Sequence, residues 1–224
     1  MKTFKHIPSP PLPELETIEN EKGRFYISPN GIHLPSVTTV LGAFKQDGLQ
    51  KWRDRIGDEA ADRIMYRAAT RGTAYHNMVE KYMLNEHSVM FDGVMPDMKQ
   101  MFMDAKKELD RIDNIRYSEA SLYSEKYGIA GRCDLVADFD GTLSIIDHKT
   151  SRKTKKKEWI TGYFEQTAAY AIMLYRRTGL RAKQGVVIIA DDDHNVDVHV
   201  VPVVDYAGSL LEKIKAYRER LNVL

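Results

Sequence analysis

The stretch that decides the fold runs from Gly131 to Lys149 and reads GRCDLVADFDGTLSIIDHK. It contains two segments of strand length, 131–139 and 143–149, joined by Asp140-Gly141, a dipeptide typical of tight β-hairpins. The pattern therefore predicts two antiparallel strands. Residues 117–123 have a similar composition and precede them, so we expect three consecutive strands between 117 and 149.

Helical and extended patterns lie on both sides of these strands. Apolar residues recur at three-to-four spacing over 49–85, with breaks expected at Gly57 and Gly72, and again over 97–112. A small hairpin over 24–34 and a helix start capped by Ser36 are expected before them. After the three strands the pattern predicts a helix over 159–178, strands at 186–190 and 196–203, and a helix over 207–222.

These elements predict an α/β (α+β) fold, with a central mixed sheet of about five strands flanked by helices. Residues 1–22 are rich in proline and charge, and we expect them to form a mobile arm. Residues 23–224 are expected to form one domain. Within it we expect a mainly helical region at 23–115, the sheet core at 116–205 and a C-terminal helix at 206–224.

Composition limits the classes of function. The chain has 33 Lys and Arg against 32 Asp and Glu, which disfavours a protein that coats nucleic acid over its whole surface and is compatible with a local basic channel. Cys133 is the only cysteine, so the chain alone can form no disulfide, four-cysteine zinc site or cysteine-held iron–sulfur cluster. The sequence has no run of membrane-span length and no signal-like start, so we expect no membrane partner and a cytoplasmic location.

The chemistry is concentrated in Asp134, Asp147 and Lys149. Residues two apart on a strand share a face, so Asp147 and Lys149 project together, and the short hairpin brings Asp134 close. Neighbouring carboxylates repel unless a cation lies between them, and oxygen ligands suit magnesium or manganese. The ammonium could orient or deprotonate an attacking water, or stabilise a developing oxyanion. The trio therefore predicts metal-assisted phosphodiester cleavage, with ordinary strand-end residues as the alternative.

Three further residues are weaker candidates. Gln166 and Tyr170 are four apart on a predicted helix, where they could bind a phosphate or stack on a base. The alternative is a core tyrosine beside a polar residue. His76 could add an imidazole ligand to the metal, although taken alone it is typical of a histidine on a helix surface.

A basic loop directly follows the predicted catalytic strand. Cations beside aromatic rings suit a single strand, whose phosphates meet the cations while bases stack on the rings. The alternative is a solvated loop of flexible lysines. Arg63, Arg67 and Arg71 recur along the preceding helix and could line the opposite wall. The candidate substrate-binding residues of the loop are Arg152, Lys153, Lys155 and Trp159.

In this combination the residues resemble the PD-(D/E)XK nuclease superfamily, specifically its RecB-like exonuclease branch. The motif is split into Asp134 and then Asp147-His148-Lys149, with a Q-x-x-x-Y element at Gln166 and Tyr170 and a G-x-x-x-H element at Gly72 and His76. Residues 35–41 also resemble a segment of the mitochondrial genome maintenance exonucleases and related phage proteins. The family's PD dipeptide is not literal, because Cys133 precedes the first aspartate.

The resemblance implies a restriction-endonuclease-like core and a nuclease that depends on Mg²⁺ or Mn²⁺. It implies metal binding by His76, Asp134, Asp147 and the backbone carbonyl of His148, with Lys149 as the catalytic lysine. Gln166 and Tyr170 would position the substrate strand. The implied partners are DNA, preferentially single-stranded, and proteins of replication or recombination. A phage origin would place the protein in a bacterial host cell, and the mitochondrial matrix stays open as a compartment.

Three functions remain in competition at this point. The leading hypothesis is a DNA exonuclease of replication, recombination or repair. The second is a structure-specific endonuclease of the same superfamily. The third is a catalytically silent DNA-binding module, which has no need of paired acids beside a lysine.

Overall fold

A five-stranded mixed sheet forms the centre of the protein. The structure is a computed structural model that describes residues 1–44 and 46–222. The strands are β4 (Ile112–Ser124), β5 (Ile129–Phe139), β6 (Thr142–Ser151), β7 (Gln184–Asp191) and β8 (Val196–Pro202). They follow the order β4-β5-β6-β7-β8, and all neighbours are antiparallel except β6 and β7, which are parallel. The predicted mixed sheet of five strands is confirmed.

Helices cover both faces of this sheet. They are α1 (Val37–Gly42), α2 (Gln46–Ile56), α3 (Asp58–Met83), α4 (Pro96–Leu109), α5 (Thr161–Thr178) and α6 (Val204–Asn222). On one face α3 and α4 pack through Tyr75 and Phe102 onto Ile146. On the other, α5 and α6 pack through Ala169 and Ile214. The sheet is thus buried on both faces, and α5 supplies the crossover that the parallel pair β6–β7 requires.

Local signals in the sequence explain several element boundaries. Asp140 and Gly141 both have positive φ, 49° and 77°, as a tight hairpin turn requires. The Ser36 hydroxyl accepts a hydrogen bond from the Thr39 backbone N–H at 2.9 Å and caps α1, as predicted. Gly57, with φ of 84°, separates α2 from α3. The break expected at Gly72 is wrong, because this residue lies inside the 26-residue helix α3.

The amino-terminal segment lies against the domain, in contrast to the mobile arm expected from its composition. Phe4 is 3% exposed in the core cluster beside α3 and α4. The Ile7 backbone N–H donates to the Ile115 carbonyl at 2.7 Å, and the Ile115 N–H donates to the Lys5 carbonyl at 2.8 Å. The segment is therefore held by its backbone hydrogen bonds to β4 and by burial of the Phe4 ring, and these contacts outweigh the mobility that its proline content predicted.

Part of this segment enters a small antiparallel sheet that the sequence predicted only in part. Its strands are β1 (Thr17–Asn20), β2 (Gly23–Ile27) and β3 (His33–Pro35), in that order. The hairpin of β2 and β3 is confirmed, and β1 is an additional strand paired to β2. Tyr26 and Leu34 of this sheet pack against Ala130 of β5. None of the helices in the described ranges is long and apolar enough to cross a membrane.

Candidate active site

Two strands and one helix meet at the predicted trio. Asp147 and Lys149 lie on one face of β6, as expected, and Lys149 Nζ donates to Asp147 Oδ1 at 2.7 Å. The second oxygen, Oδ2, lies 2.6 Å from the same nitrogen but accepts no well-directed hydrogen bond. Asp147 is 1% exposed, so this carboxylate is buried with part of its bonding capacity unused.

Asp134 lies on the neighbouring strand β5 and connects β6 to α3. Its Oδ2 accepts a hydrogen bond from the His148 backbone N–H at 2.9 Å. The same oxygen lies 3.6 Å from Nδ1 of His76 on α3. The structure therefore brings together Asp134, Asp147, Lys149 and the histidine that the sequence nominated as a further ligand.

A break in the strand pleat turns two carboxylates toward α3. The register pairs Ser118 with Leu135 and Ala120 with Cys133, so Glu119 lies opposite Asp134. Glu119 has a φ of 49°, which is uncommon outside glycine. Cys133 packs on the α5 side of the sheet whereas Leu135 packs on the α3 side, although residues two apart normally share a face. The irregularity frees both acids from the regular alternation, as bulges near active sites do.

Glu119 completes a group that the sequence analysis missed. Donor atoms of His76, Glu119 and Asp134 all lie within 4.8 Å of one another. Asp147 stands beside this group and is held by Lys149 instead. The only signal in the sequence was a lone acid within the strand predicted at 117–123. Its relevance depends on the register that places it opposite Asp134, which the sequence does not specify.

The carboxylates repel one another in a poorly solvated place. Burial first, and then the negative charges of Asp134 and Glu80, raise the pKa of Glu119 to about 7 against the opposing effect of Arg132. Burial, with a smaller contribution from Asp134, also raises the pKa of Asp147 to about 6, although the Lys149 ammonium opposes this shift. The site thus carries more negative charge than its cations balance, which is the condition that a bound metal ion would relieve.

Lys149 is an ammonium ion at neutral pH. Burial by itself would lower its pKa, but the charges of Asp147 and Asp134 outweigh burial and raise it. Its Nζ lies 5.4 Å from the ring centre of Tyr163, whose hydroxyl accepts a hydrogen bond from Lys155 Nζ at 2.8 Å. Tyr163 therefore links the predicted catalytic lysine to the basic loop.

The His148 ring lies on the α3 side of β6, away from the face of Asp147 and Lys149, as the strand alternation predicts. It is 3% exposed, and its centre is 6.3 Å from that of His76. Burial lowers its pKa to about 3, so the ring is neutral. A metal-binding role for its backbone carbonyl stays a prediction.

Gln166 and Tyr170 are buried within the fold rather than presented on a surface. They are 7% and 3% exposed, and the tyrosine ring packs against the backbone of Gly131, where an added Cβ would lie 2.9 Å from the ring. The core alternative therefore describes the position of Tyr170 better than base stacking does. Tyr170 instead packs at Gly131 of β5, three residues before Asp134.

The basic loop after β6 is exposed, with Arg152, Lys153 and Trp159 open to solvent. Trp159 is 65% exposed, and Lys156 Nζ lies 5.4 Å from the centre of its ring. Lys155 is partly buried because it is bound to Tyr163. On α3, Arg71 pairs with Asp192 at 2.6 Å and Arg63 with Glu59 at 2.6 Å, so these two cations are already partnered.

Comparison with known families identifies the framework to which these residues belong. The profile of the PD-(D/E)XK nuclease superfamily matches residues 43–222, which include the whole five-stranded sheet. The chain belongs to the PD-(D/E)XK nuclease superfamily. Asp134, Asp147 and Lys149 lie within that matched region, on the adjacent strands β5 and β6.

Individual relatives have low sequence identity to this chain. Human mitochondrial genome maintenance exonuclease 1 is 25% identical over 174 residues, which cover 71% of this chain and 50% of the human protein. The chain therefore spans half the length of this curated relative. A solved protein of Eubacterium rectale, named as an exonuclease, aligns with a TM-score of 0.49, 13% identity and coverage of 67% of this chain and 65% of its own. Scheffersomyces stipitis Rai1 aligns with a TM-score of 0.31, 15% identity and coverage of 92% and 54%.

The residues of this PD-(D/E)XK nuclease fold fit a divalent metal, which members of the superfamily typically use. Carboxylate oxygens are the ligands that hard cations prefer. Glu119 and Asp134 supply them next to His76. Asp147, whose charge interacts with Asp134 and His76, keeps an Oδ2 without a hydrogen-bond partner. His76, Glu119, Asp134 and Asp147 are therefore the side chains that could hold the ion.

Proposed function

We propose that the protein is a metal-dependent DNA exonuclease that hydrolyses phosphodiester bonds from single-stranded ends, with Mg²⁺ or Mn²⁺ as its cofactor. The observation that carries the proposal is the placement of Asp134, Asp147 and Lys149 on adjacent strands, beside His76 and Glu119. Membership of the nuclease superfamily supports the reaction class. The exonuclease name of the human relative supports the choice of ends over internal sites.

Each residue has a physical role in this proposal. A bound divalent ion would supply water activation and neutralise charge on the phosphate. His76, Glu119, Asp134 and Asp147 would hold that ion. Lys149 keeps its proton because the neighbouring carboxylates raise its pKa, so it acts as a fixed positive charge toward the phosphate oxygens. Asp147 orients this ammonium through the 2.7 Å hydrogen bond.

The substrate strand would follow the exposed cations next to the site. Arg152, Lys153 and Lys155 suit phosphates, and the open indole of Trp159 suits a base, because single strands combine these two contacts. The buried Tyr170 would support the strand that carries Asp134 through its packing on Gly131, and Gln166 would hold Tyr170 through their hydrogen bond. We include in the proposal a role in replication, recombination or repair.

Cleavage of an end-labelled linear single-stranded oligonucleotide, with Mg²⁺ or Mn²⁺, tests the proposal. We expect shortening that requires the metal and is abolished in Lys149→Ala. Circular single-stranded DNA is the matched substrate, since only an endonuclease cuts a circle. Cutting of the circle would replace the exonuclease proposal with the endonuclease. Binding of the linear strand without cleavage under either metal would favour the silent DNA-binding module.

A further inference from the structure

A polar basin of about 490 Å³ opens beside the cluster of His76, Glu119 and Asp134, on the side of β4. Its volume is within the range of small-ligand sites. His76, Glu119 and Glu80 line it where it meets the candidate metal ligands. The other groups are donors of hydrogen bonds, namely Arg24, Thr73, Asn77 and Arg132. The two arginines also line the adjoining cleft against residues 14–19.

We propose that Arg24 and Arg132 form a phosphate-binding subsite that holds the substrate strand on the β4 side of the His76–Glu119–Asp134 cluster. The inference rests on the proposed nuclease function and deepens it by assigning a second anchoring point. The basic loop follows β6, toward the β7 side of the sheet, whereas Arg132 lies on β5 and Arg24 on the small sheet packed against β5. A strand that crosses the site would thus meet cations before and after the carboxylates.

The chemistry of the two arginines favours a phosphate ligand. A guanidinium presents a planar set of donors that matches two phosphate oxygens. Arg132 is held in place by its Nε–H, which donates to the Glu119 backbone carbonyl at 3.1 Å. Its side chain lines both the basin and the adjoining cleft and is 52% exposed. Arg24 is equally accessible, with 51% of its side chain exposed.

Each arginine has one exposed partner. Arg24 pairs with Glu19 at 3.5 Å and Arg132 with Glu14 at 3.6 Å, and both of these glutamates are more than 70% exposed. Arg132 also pairs with the less exposed Glu119, through Nε at 3.7 Å rather than through its terminal nitrogens. Exposed ion pairs of this kind contribute little stability. A phosphate of the substrate strand would therefore displace each of these glutamates from its arginine. The segment 14–19 thus competes with the substrate for the subsite.

The first test measures binding of a fluorescent oligothymidylate as a function of salt. All proteins carry Lys149→Ala, with Mg²⁺ present, so that the strand stays intact. Arg24→Gln/Arg132→Gln should weaken binding about tenfold and lower the slope of log affinity against log salt by about 0.7 for each lost phosphate contact. The charge-matched control is Lys107→Gln/Lys215→Gln, on the exposed surfaces of α4 and α6, which should retain the slope.

The second test predicts a gain that misfolding could not produce. Glu14→Gln/Glu19→Gln should tighten binding about two- to fivefold, because it frees the arginines from weak pairs. Glu16→Gln/Glu21→Gln removes the same charge from the same exposed segment without touching either arginine, and should change affinity less. Equal behaviour of both glutamate variants, together with an unchanged salt slope in the arginine variant, would overturn the subsite. Cleavage by the wild-type protein in the parallel assay would then leave the nuclease proposal standing.

Discussion

The acidic residues at the two ends of strands β4, β5 and β6 have opposite environments. At the Asp140-Gly141 end, Asp138 and Asp140 are each paired with an arginine. Arg111 binds Asp140 and lowers the pKa of that carboxyl, and Arg116 binds Asp138 at 2.6 Å. Toward the other end, Glu119 and Asp147 have pKa values raised to about 7 and about 6. The same strands thus carry one end built for stability and one end with unbalanced charge.

This difference indicates where function lies. Paired acids stabilise the ionised, folded state, whereas crowded acids destabilise it until a cation binds. Perturbed pKa values in a concave site are typical of catalytic centres. The comparison therefore predicts that substitutions at the hairpin end change stability, and that substitutions at the crowded end change chemistry and ion binding.

Lys149→Ala has the largest expected effect. Removing the ammonium that binds Asp147 should reduce the rate of cleavage by about 10³-fold, the upper range for loss of a fixed group that stabilises developing charge. The oligonucleotide assay measures it, with Lys149→Arg as a test of whether charge alone suffices. A variant that cuts at the wild-type rate would mean that Lys149 has no part in the chemistry.

Arg116→Met, at the hairpin end, should lower the stability of the protein and leave its cleavage rate unchanged. The side chains of Arg116 and Asp138 are 19% and 13% exposed, so the substitution leaves a largely buried carboxylate without its cation. We expect a loss of about 1–3 kcal/mol in the free energy of unfolding, measured with urea. The cleavage rate of the folded fraction should be unchanged. If this variant keeps full stability but loses activity, the division of roles between the two ends is wrong.

Glu119→Gln tests the crowding itself through pH. Below the ordinary pKa of a glutamate both folded and unfolded states are protonated. Between that value and about 7 only the folded state keeps the proton, so the stability of the metal-free wild type falls as pH rises. The glutamine variant lacks this loss and should be more stable at pH 8 by about 2 kcal/mol, with equal stability near pH 4.

Thermal unfolding in a chelator, at several pH values, measures this difference. Asp138→Asn is the matched variant at the hairpin end, and it should destabilise at neutral pH because it removes the partner of Arg116. A glutamine variant with the same pH profile as the wild type would show that Glu119 is not strained.

Gly141→Ala has the smallest expected effect. At φ of 77° an alanine is strained, so we expect a loss of about 1 kcal/mol in stability. Cleavage and metal binding should not change, since the turn lies at the far end of the strands. Denaturant unfolding and the oligonucleotide assay report the two properties separately, and a drop in activity without a drop in stability would contradict the separation.

The sequence predicted much of this because its strongest signals are local. Asp140-Gly141 specified the hairpin, and the alternation of β6 placed Asp147 beside Lys149. Glu119 was missed because its position depends on strand register and on a positive φ, neither of which residue types reveal. The amino-terminal segment was misjudged because Phe4 is buried by contacts with residues about 80 or more positions away. Gly72 was predicted to be a break because glycine has a low helix propensity, and this local signal is outweighed within the 26-residue helix α3.

Titration of the metal-free protein with Mn²⁺ by calorimetry tests the central claim most directly, namely that the crowded carboxylates form a divalent-cation site. The experiment is run near pH 7 in two buffers of different ionisation enthalpy, so that released protons are counted. We expect saturable binding with proton release, because Glu119 is partly protonated at this pH, and loss of binding in Asp134→Asn. Absence of binding by the wild type, or equal binding by Asp134→Asn, would contradict it.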